Sequence, residues 1–505
     1  MRGLTLSDGV RASAARFPQR VAITIDDERL TFAQLVERIG RVSGGALHGL
    51  GLRPGERVAL CLPNCLPWME LMCGFSAAGI PCATLPPMAT AAEIAVIVED
   101  CEPRVMVCHA SNEEQVRAGA GHVVERFLVV GHDGADSYAE WLARARPLVP
   151  PPVEEDAIFS IPYTSGATGK PKGILLSHRS RILTCYAAAA EYRALGPDTR
   201  MLVSTPLFHG AGFINLLAPC WFGGESVILS RFNVDLLLEL IEQHRITKAH
   251  LVPAHFAAYF ALPEAQRRRR NLGSLRCIVS GTAPLAQRVK EKIVEAFGAG
   301  VLHERYGSTE ASIVSNLRPA DQLRKSACVG LPFPSVEVEI RGPDGAAVAA
   351  GETGELWSRS PLMFSGYWRR PEAEARAVRD GWVSAGDLAR RDEEGYLYLV
   401  DRKDDMIISG GENVYPREIE EVLLRHPAVQ EVAVIGMPHE YWGDAITAFV
   451  HLRAGMDADE KALQELCGRH LARWKVPKSV RFRGPLPRNS MGKILRRMIK
   501  TGERE

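Results

Sequence analysis

The 505-residue sequence predicts the α/β class: α/β sandwich structure in a large amino-terminal domain (two such subdomains are expected), with a small β-barrel or distorted sheet, then a small α+β domain. Three observations carry this expectation. Helical and strand signals alternate through the first 150 residues, as in a parallel sheet covered by helices. From about residue 330 the texture changes to short alternating strands and turns: VEVEI, GPDG, GELW and GYLYLV. Near DRKDDMIISGGENVYP (401–416) the pattern resets, which places the expected boundary between 1–401 and 402–505. A chain of this length also exceeds what one hydrophobic core normally organises.

The elements follow in order. LTFAQLVERIGRVSGGALHGLG (30–51) has apolar residues at helical spacing and ends on Gly49 and Gly51. RVALCLPN (57–64) reads as a strand, and LMCGFSAAGIPCATLPP (71–87) as a buried helix turning into a strand. Residues 95–99 continue a helix, and 104–108 (RVMVC) a strand. After the proline-rich connector ARPLVPPPVEEDA (145–157), the strand AIFSIPY delivers the chain into a glycine loop. Ser177 is placed to cap a helix running to about Arg193, and LRCIVSG (275–281) is another strand-to-loop step. EVAVIG (431–436) and AITAFVHL (445–452) supply strands of the carboxy-terminal domain.

Composition excludes several partners. With 61 basic and 60 acidic side chains, no global field attracts nucleic acid. No apolar run is long enough to cross a bilayer, and the amino terminus has no secretory h-region, so the expected location is cytoplasmic. The 11 cysteines are scattered without a CxxC, which reads as small buried hydrophobes under reducing conditions. The run QRRRR (266–270) reads as a solvated loop between a helix and the strand at 275.

Chemistry concentrates in YTSGATGKPKG (163–173). Glycines let backbone N–H groups converge on an anion, hydroxyls add donors and lysine adds charge. It is not a Walker A loop: two residues separate Gly166 from Gly169, and Pro171 follows Lys170. The loop resembles the phosphate signature of the adenylate-forming superfamily, in its acyl- and aryl-CoA synthetase branch. PLFHGAG (206–212), SGTAP (280–284), ERYGSTE (304–310), GYW (366–368), WVSAGDLA (382–389), DRKDDMIISGGENVYP and PRNSMGKILRR (487–497) follow in that family's order.

The resemblance implies activation of a carboxylate as acyl-AMP, then transfer to the thiol of coenzyme A, with ATP and Mg²⁺ as cofactors. It assigns Thr164, Ser165, Gly166, Ala167, Thr168, Gly169, Lys170 and Lys172 to the phosphates, with Ala167 where a hydroxyl residue is usual. Gly281, Thr282, Ala283, Arg305, Tyr306, Gly307 and Ser308 belong to the nucleotide pocket, and Thr309 to the α-phosphate. Glu310 would bind the metal, and Asp387 with Arg402 the ribose. Lys493 would bridge carboxylate and α-phosphate, and Asp404 would be the hinge about which a mobile carboxy-terminal domain rotates. Gly411 would line the pantetheine tunnel, with Trp442, Trp474 and Lys475 at coenzyme A; both tryptophans suit packing equally.

For the acid, His209, Gly210, Phe213 and Thr282 are the implied pocket residues, with Gly212 leaving room beside His209. A monocarboxylic aryl or medium-chain acid ranks first. VSGTAPL and HERYGSTE also resemble malonyl-CoA synthetases, so Arg305 could meet a second carboxylate, Glu304 or a loop acid. Rival readings are transfer to an acyl carrier protein and nucleotide binding without turnover. A homodimer stays open.

Overall fold

The computed structural model describes residues 4–165, 171–409, 412–488 and 494–502. The chain divides into two units: 1–326 with 330–337 and 358–383, and 327–329 with 338–357 and 384–505.

The first unit is built on two mostly parallel sheets. In the seven-stranded sheet, Val58–Cys61, Cys82–Thr84, Val105–His109, Arg126–Val130 and Ile158–Ser165 run parallel. Short β-branched and apolar runs separated by helices leave only this arrangement, because a parallel crossover needs a helix-length connection. Helix Trp68–Ala77 is buried at every position, as the unbroken apolar run requires. Helix Phe32–Gly44 continues into a π-helical turn, Gly45–Gly49, where Gly45 abuts the Trp141 ring. Ser177 caps helix His178–Tyr192 by accepting from the Ser180 amide, and Arg193 ends it in the left-handed region.

The nine-stranded sheet holds Val21–Ile25, Arg200–Val203, Glu225–Ile228, Lys248–His250, Cys277–Ser280 and Leu302–Ser308 in parallel. Ser312–Leu317 turns back antiparallel to Leu302–Ser308. One face is a core of Leu202, Val227, Ala249, Ile278 and Leu302 under helices Val234–Gln243 and Gln287–Phe297.

Largely in the second unit, Gly354–Arg359, Asp387–Arg391 and Leu397–Arg402 pair antiparallel in one sheet, and Glu337–Arg341 pairs with Gly354–Arg359. The carboxy-terminal part centres on the long hairpin Val429–His439 and Gly443–Leu452, packed against helices Pro416–Leu423 and Glu460–His470.

No disulfide joins any of the eleven cysteines, and ten of them are buried. Among the described residues, no helix is long and apolar enough to cross a membrane. Three arginines of the 266–270 run are partnered. Arg268 pairs with Glu264, Arg270 with Glu242 at 3.1 Å, and Arg267 lies over Tyr259 at 5.5 Å.

Candidate active site

The glycine loop is shorter than its composition suggests. Tyr163–Ser165 and Pro171–Gly173 are strand, pairing antiparallel with Thr164 opposite Lys172. Gly166, Ala167, Thr168, Gly169 and Lys170 lie outside the described residues, as does the Ser165 side chain. Gly173 must be glycine, since a Cβ there would stand 2.9 Å from Ile161 and 3.1 Å from Tyr163.

The GYW segment ties this stem to ERYGSTE. Gly366–Tyr367 pairs with Leu175 and Ile174 of the returning hairpin strand. The Tyr367 hydroxyl donates to Glu310 Oε1 at 2.9 Å, while Lys172 Nζ stands 5.5 Å from the Tyr367 ring centre. Phe364 N donates to the Glu310 carbonyl. Burial and the Glu310 charge push the Tyr367 phenol well up, so it is a neutral donor. Nothing local in GYW marks the Tyr367 hydroxyl as the partner of Glu310, 57 residues earlier; only the fold shows it.

Thr309 and Glu310 stand half-buried at the turn after Leu302–Ser308. A register shift falls between Tyr306 and Gly307, where a Cβ on Gly307 would meet the Ser312 carbonyl at 2.0 Å. Ser308 Oγ accepts from Ala311 N, which holds the turn. A half-buried carboxylate beside a hydroxyl is a hard-oxygen donor set of the kind that would suit Mg²⁺. Among the described residues, no group of three His, Cys, Asp or Glu could hold a metal alone.

At the end of Cys277–Ser280, Thr282 has φ 71°, which is costly for a β-branched residue. Gly281 is required here, because a Cβ would press on the Arg305 side chain at 2.9 Å. Arg305 reaches His250, with Nη2 to Nε2 at 3.2 Å. Glu304 points to the other face, where it pairs with Lys290 and accepts from Leu285 N. The pairing of Arg305 with Glu304, open in the sequence, is therefore absent.

His209 caps helix Gly210–Trp221 and packs on Phe208 at 4.0 Å. Its Nε2 is buried without a hydrogen-bond partner, and burial pulls its pKa down to about 4. Gly210 faces open space, but Gly212 does not leave the room expected of it: a Cβ there would strike the Pro206 carbonyl at 2.0 Å. Phe213 is buried and meets Phe159 at 6.1 Å.

In the second unit, Asp387 and Arg402 face each other across the antiparallel pair, with Arg402 Nε 3.5 Å from Asp387 Oδ1. Arg402 also donates to the Ala385 carbonyl at 2.9 Å. Asp404 lies in the 3₁₀ turn Lys403–Asp405, its side chain outside the described set, together with Gly411 and Lys493. Nearby Asp405 meets Arg496 at 3.2 Å, and Arg496 also holds Glu420. Lys475 is engaged by Glu418 at 2.7 Å, Trp474 is exposed, and Trp442 lies under Lys478 at 4.5 Å.

The chain resembles known proteins along nearly its whole length. Residues 10–368 match the AMP-binding enzyme family, and 418–493 match the AMP-binding enzyme C-terminal domain. Feruloyl-CoA synthase from Amycolatopsis sp is 36% identical over 498 residues, covering 98% of each chain. The amide bond synthetase McbA from Marinactinospora thermotolerans superposes with TM-score 0.89 at 31% identity, covering 99% of this chain and 100% of that one. ATP-bound MatB from Rhodopseudomonas palustris gives TM-score 0.91 at 29% identity, covering 99% of both. The chain belongs to the AMP-binding enzyme family, in its acyl- and aryl-CoA synthetase branch.

Proposed function

We propose that this chain is an ATP-dependent carboxylic acid–CoA ligase whose acid is an aryl or medium-chain acyl acid. The observation that carries the reading is the clamp in which Tyr367 joins the glycine-loop stem to Glu310. The full-length match to a feruloyl-CoA synthase supports coenzyme A as acceptor and an aryl acid as substrate.

In the first half-reaction a carboxylate oxygen attacks the α-phosphorus of ATP, and the bond to the β-phosphate oxygen breaks, releasing pyrophosphate. Attack brings two anions together, so preorganised positive groups lower the barrier. Thr164 and Lys172 at the stem, with the loop between them, hold the β- and γ-phosphates. Thr309 donates to the α-phosphate, and Lys493 bridges it to the attacking carboxylate. Mg²⁺, held by Glu310, would supply charge neutralisation on the phosphates. Tyr367 fixes the Glu310 carboxylate, and Asp387 with Arg402 holds the ribose hydroxyls. Gly281 to Ala283 and Arg305 to Ser308 form the nucleotide pocket. His209, neutral at pH 7, gates the acid without adding charge.

In the second half-reaction the CoA thiol attacks the acyl carbon, AMP leaves, and the thiol proton goes to solvent. The residues from 402 onward rotate about Asp404 to admit pantetheine along Gly411. Trp442, Trp474 and Lys475 meet the nucleotide end of coenzyme A, Lys475 by exchanging Glu418 for phosphate. The test is a panel of acids assayed for pyrophosphate release and for a CoA thioester by mass spectrometry. Likeness to an amide bond synthetase favours one second reading, an amine acceptor. An amide formed without coenzyme A, and no thioester with it, would establish that reading instead.

A further inference from the structure

The carboxy-terminal end of helix Ala91–Cys101 binds two segments of the site at once. Asp100, in the last turn, accepts from the Tyr163 hydroxyl through Oδ2 at 2.7 Å. Its other oxygen, Oδ1, pairs with Arg370. The Asp100 carbonyl accepts from Trp368 Nε1 at 2.9 Å. Tyr163 leads directly into Thr164 of the glycine-loop stem, and Trp368 and Arg370 follow Tyr367, which holds Glu310.

The helix ends here because Glu102 enters the left-handed region at φ 45°. Its last carbonyls then lack intrahelical donors, and side chains supply them: Trp368 to Asp100, and Arg57 Nε to Cys101 at 2.7 Å. The negative end of a helix also favours cations, and Arg57, Arg369 and Arg370 gather at it. Arg57 and Arg369 lie over the Trp368 ring at 5.2 and 5.0 Å. The Asp100 side chain is 14% exposed and Tyr163 9%, so water competes weakly for their bond. Burial pushes the Tyr163 phenol up and keeps it a neutral donor. The backbone closes the circuit: Gly173 stands opposite Tyr163 in the hairpin, and its carbonyl accepts from Trp368 N at 2.8 Å.

We propose that Asp100 is a positioning residue that fixes the glycine-loop stem relative to the Glu310 carboxylate. It acts on the stem through Tyr163, and on Glu310 through Arg370 and Tyr367. The inference rests on the ligase reading and adds to its site a residue from a helix that carries none of the motifs. Attack at phosphorus needs the phosphate donors and the metal carboxylate held in one geometry, and a shift of about 1 Å can cost roughly 100-fold in rate. A charge-assisted bond from each segment to the two oxygens of one carboxylate is a short, stiff way to hold it.

The test compares the full-length enzyme with its Asp100→Ala and Tyr163→Phe variants. Mg²⁺–ATP binding is read by titration calorimetry without acid, and pyrophosphate release with the best acid of the panel. Asp100→Ala should weaken Mg²⁺–ATP binding about fivefold or more and lower kcat/KM for ATP about tenfold or more, with KM for the acid unchanged. Tyr163→Phe removes one oxygen on the stem side and should show the same split, about two- to fivefold in binding. A role in stability alone would lower Tm and leave the Mg²⁺–ATP affinity of the folded variants unchanged; that result overturns the proposal. Equal rises in KM for ATP and for the acid overturn it too. If Asp100→Ala fails to fold, Tyr163→Phe decides by the same readouts. Weakened nucleotide binding in the variants, with no release from any acid even in the wild type, removes the ligase reading and leaves Asp100 its role. Wild-type release with nucleotide affinity unmoved in the variants does the reverse, and a wild type that binds no Mg²⁺–ATP removes both.

Discussion

Tyr367 gives the site its sharpest single-residue prediction. Its hydroxyl holds the Glu310 carboxylate at 2.9 Å, and a hydrogen bond to a charged group contributes about 1.5–3 kcal/mol. Tyr367→Phe should lower kcat/KM for ATP by roughly 10–100-fold with little change in Tm, read by pyrophosphate release. The oddity at Ala167 makes a converse prediction. Restoring a hydroxyl with Ala167→Thr should lower KM for ATP, by the worth of one such bond at most. Thr282 stores strain at φ 71°, so Thr282→Gly should raise stability by about 1 kcal/mol in urea unfolding and alter acid selectivity. At this scale the motifs single out Glu310 and Asp387, and the structure gives them Tyr367 and Arg402 as partners. The sequence was silent on Lys248 and Arg181, because a lysine on a strand and an arginine on a helix look like surface residues until packing buries them.

Among the elements, the hairpin around YTSGATGKPKG shows what composition hides. Glycine and lysine content reads as a loop, yet antiparallel pairing carries strand to Ser165 and from Pro171. Strands built from apolar runs were legible: Val58–Cys61, Val105–His109 and Val429–His439 fall where the alternation puts them. Leu302–Ser308 and Lys248–His250 were not, since charged and polar side chains on a buried face break the apolar pattern. Gly212 corrects the reading of PLFHGAG, because a backbone carbonyl occupies the space attributed to substrate. The turn of ERYGSTE depends likewise on close backbone approach. Gly307→Ala sets a Cβ against Ser312 O and should cost about 1–3 kcal/mol, with a raised KM for ATP, by thermal unfolding and kinetics.

For the whole molecule, pH separates the two units. His178, His209, His255 and His303 are pulled down to about 4 by burial, His250 is also held well below its usual value, and all five lie in the first unit. A base depressed in the folded state binds its proton preferentially when unfolded, so stability falls as pH drops below about 6.5 towards 4. Each group contributes up to about 1.4 kcal/mol per pH unit in that window. Asp401, in the second unit, is raised to about 6, so its contribution has the opposite sign: it is lost as pH rises from about 4 to 6. Tm should be flat near pH 7–8 and fall steeply below 6.5, and hydrogen exchange should show the first unit opening first. The central claim is adenylation, and Lys493→Ala with acid-dependent pyrophosphate release tests it most directly. The account predicts loss of release by at least a hundredfold with the Tm of the wild type; release at the wild-type rate would contradict it.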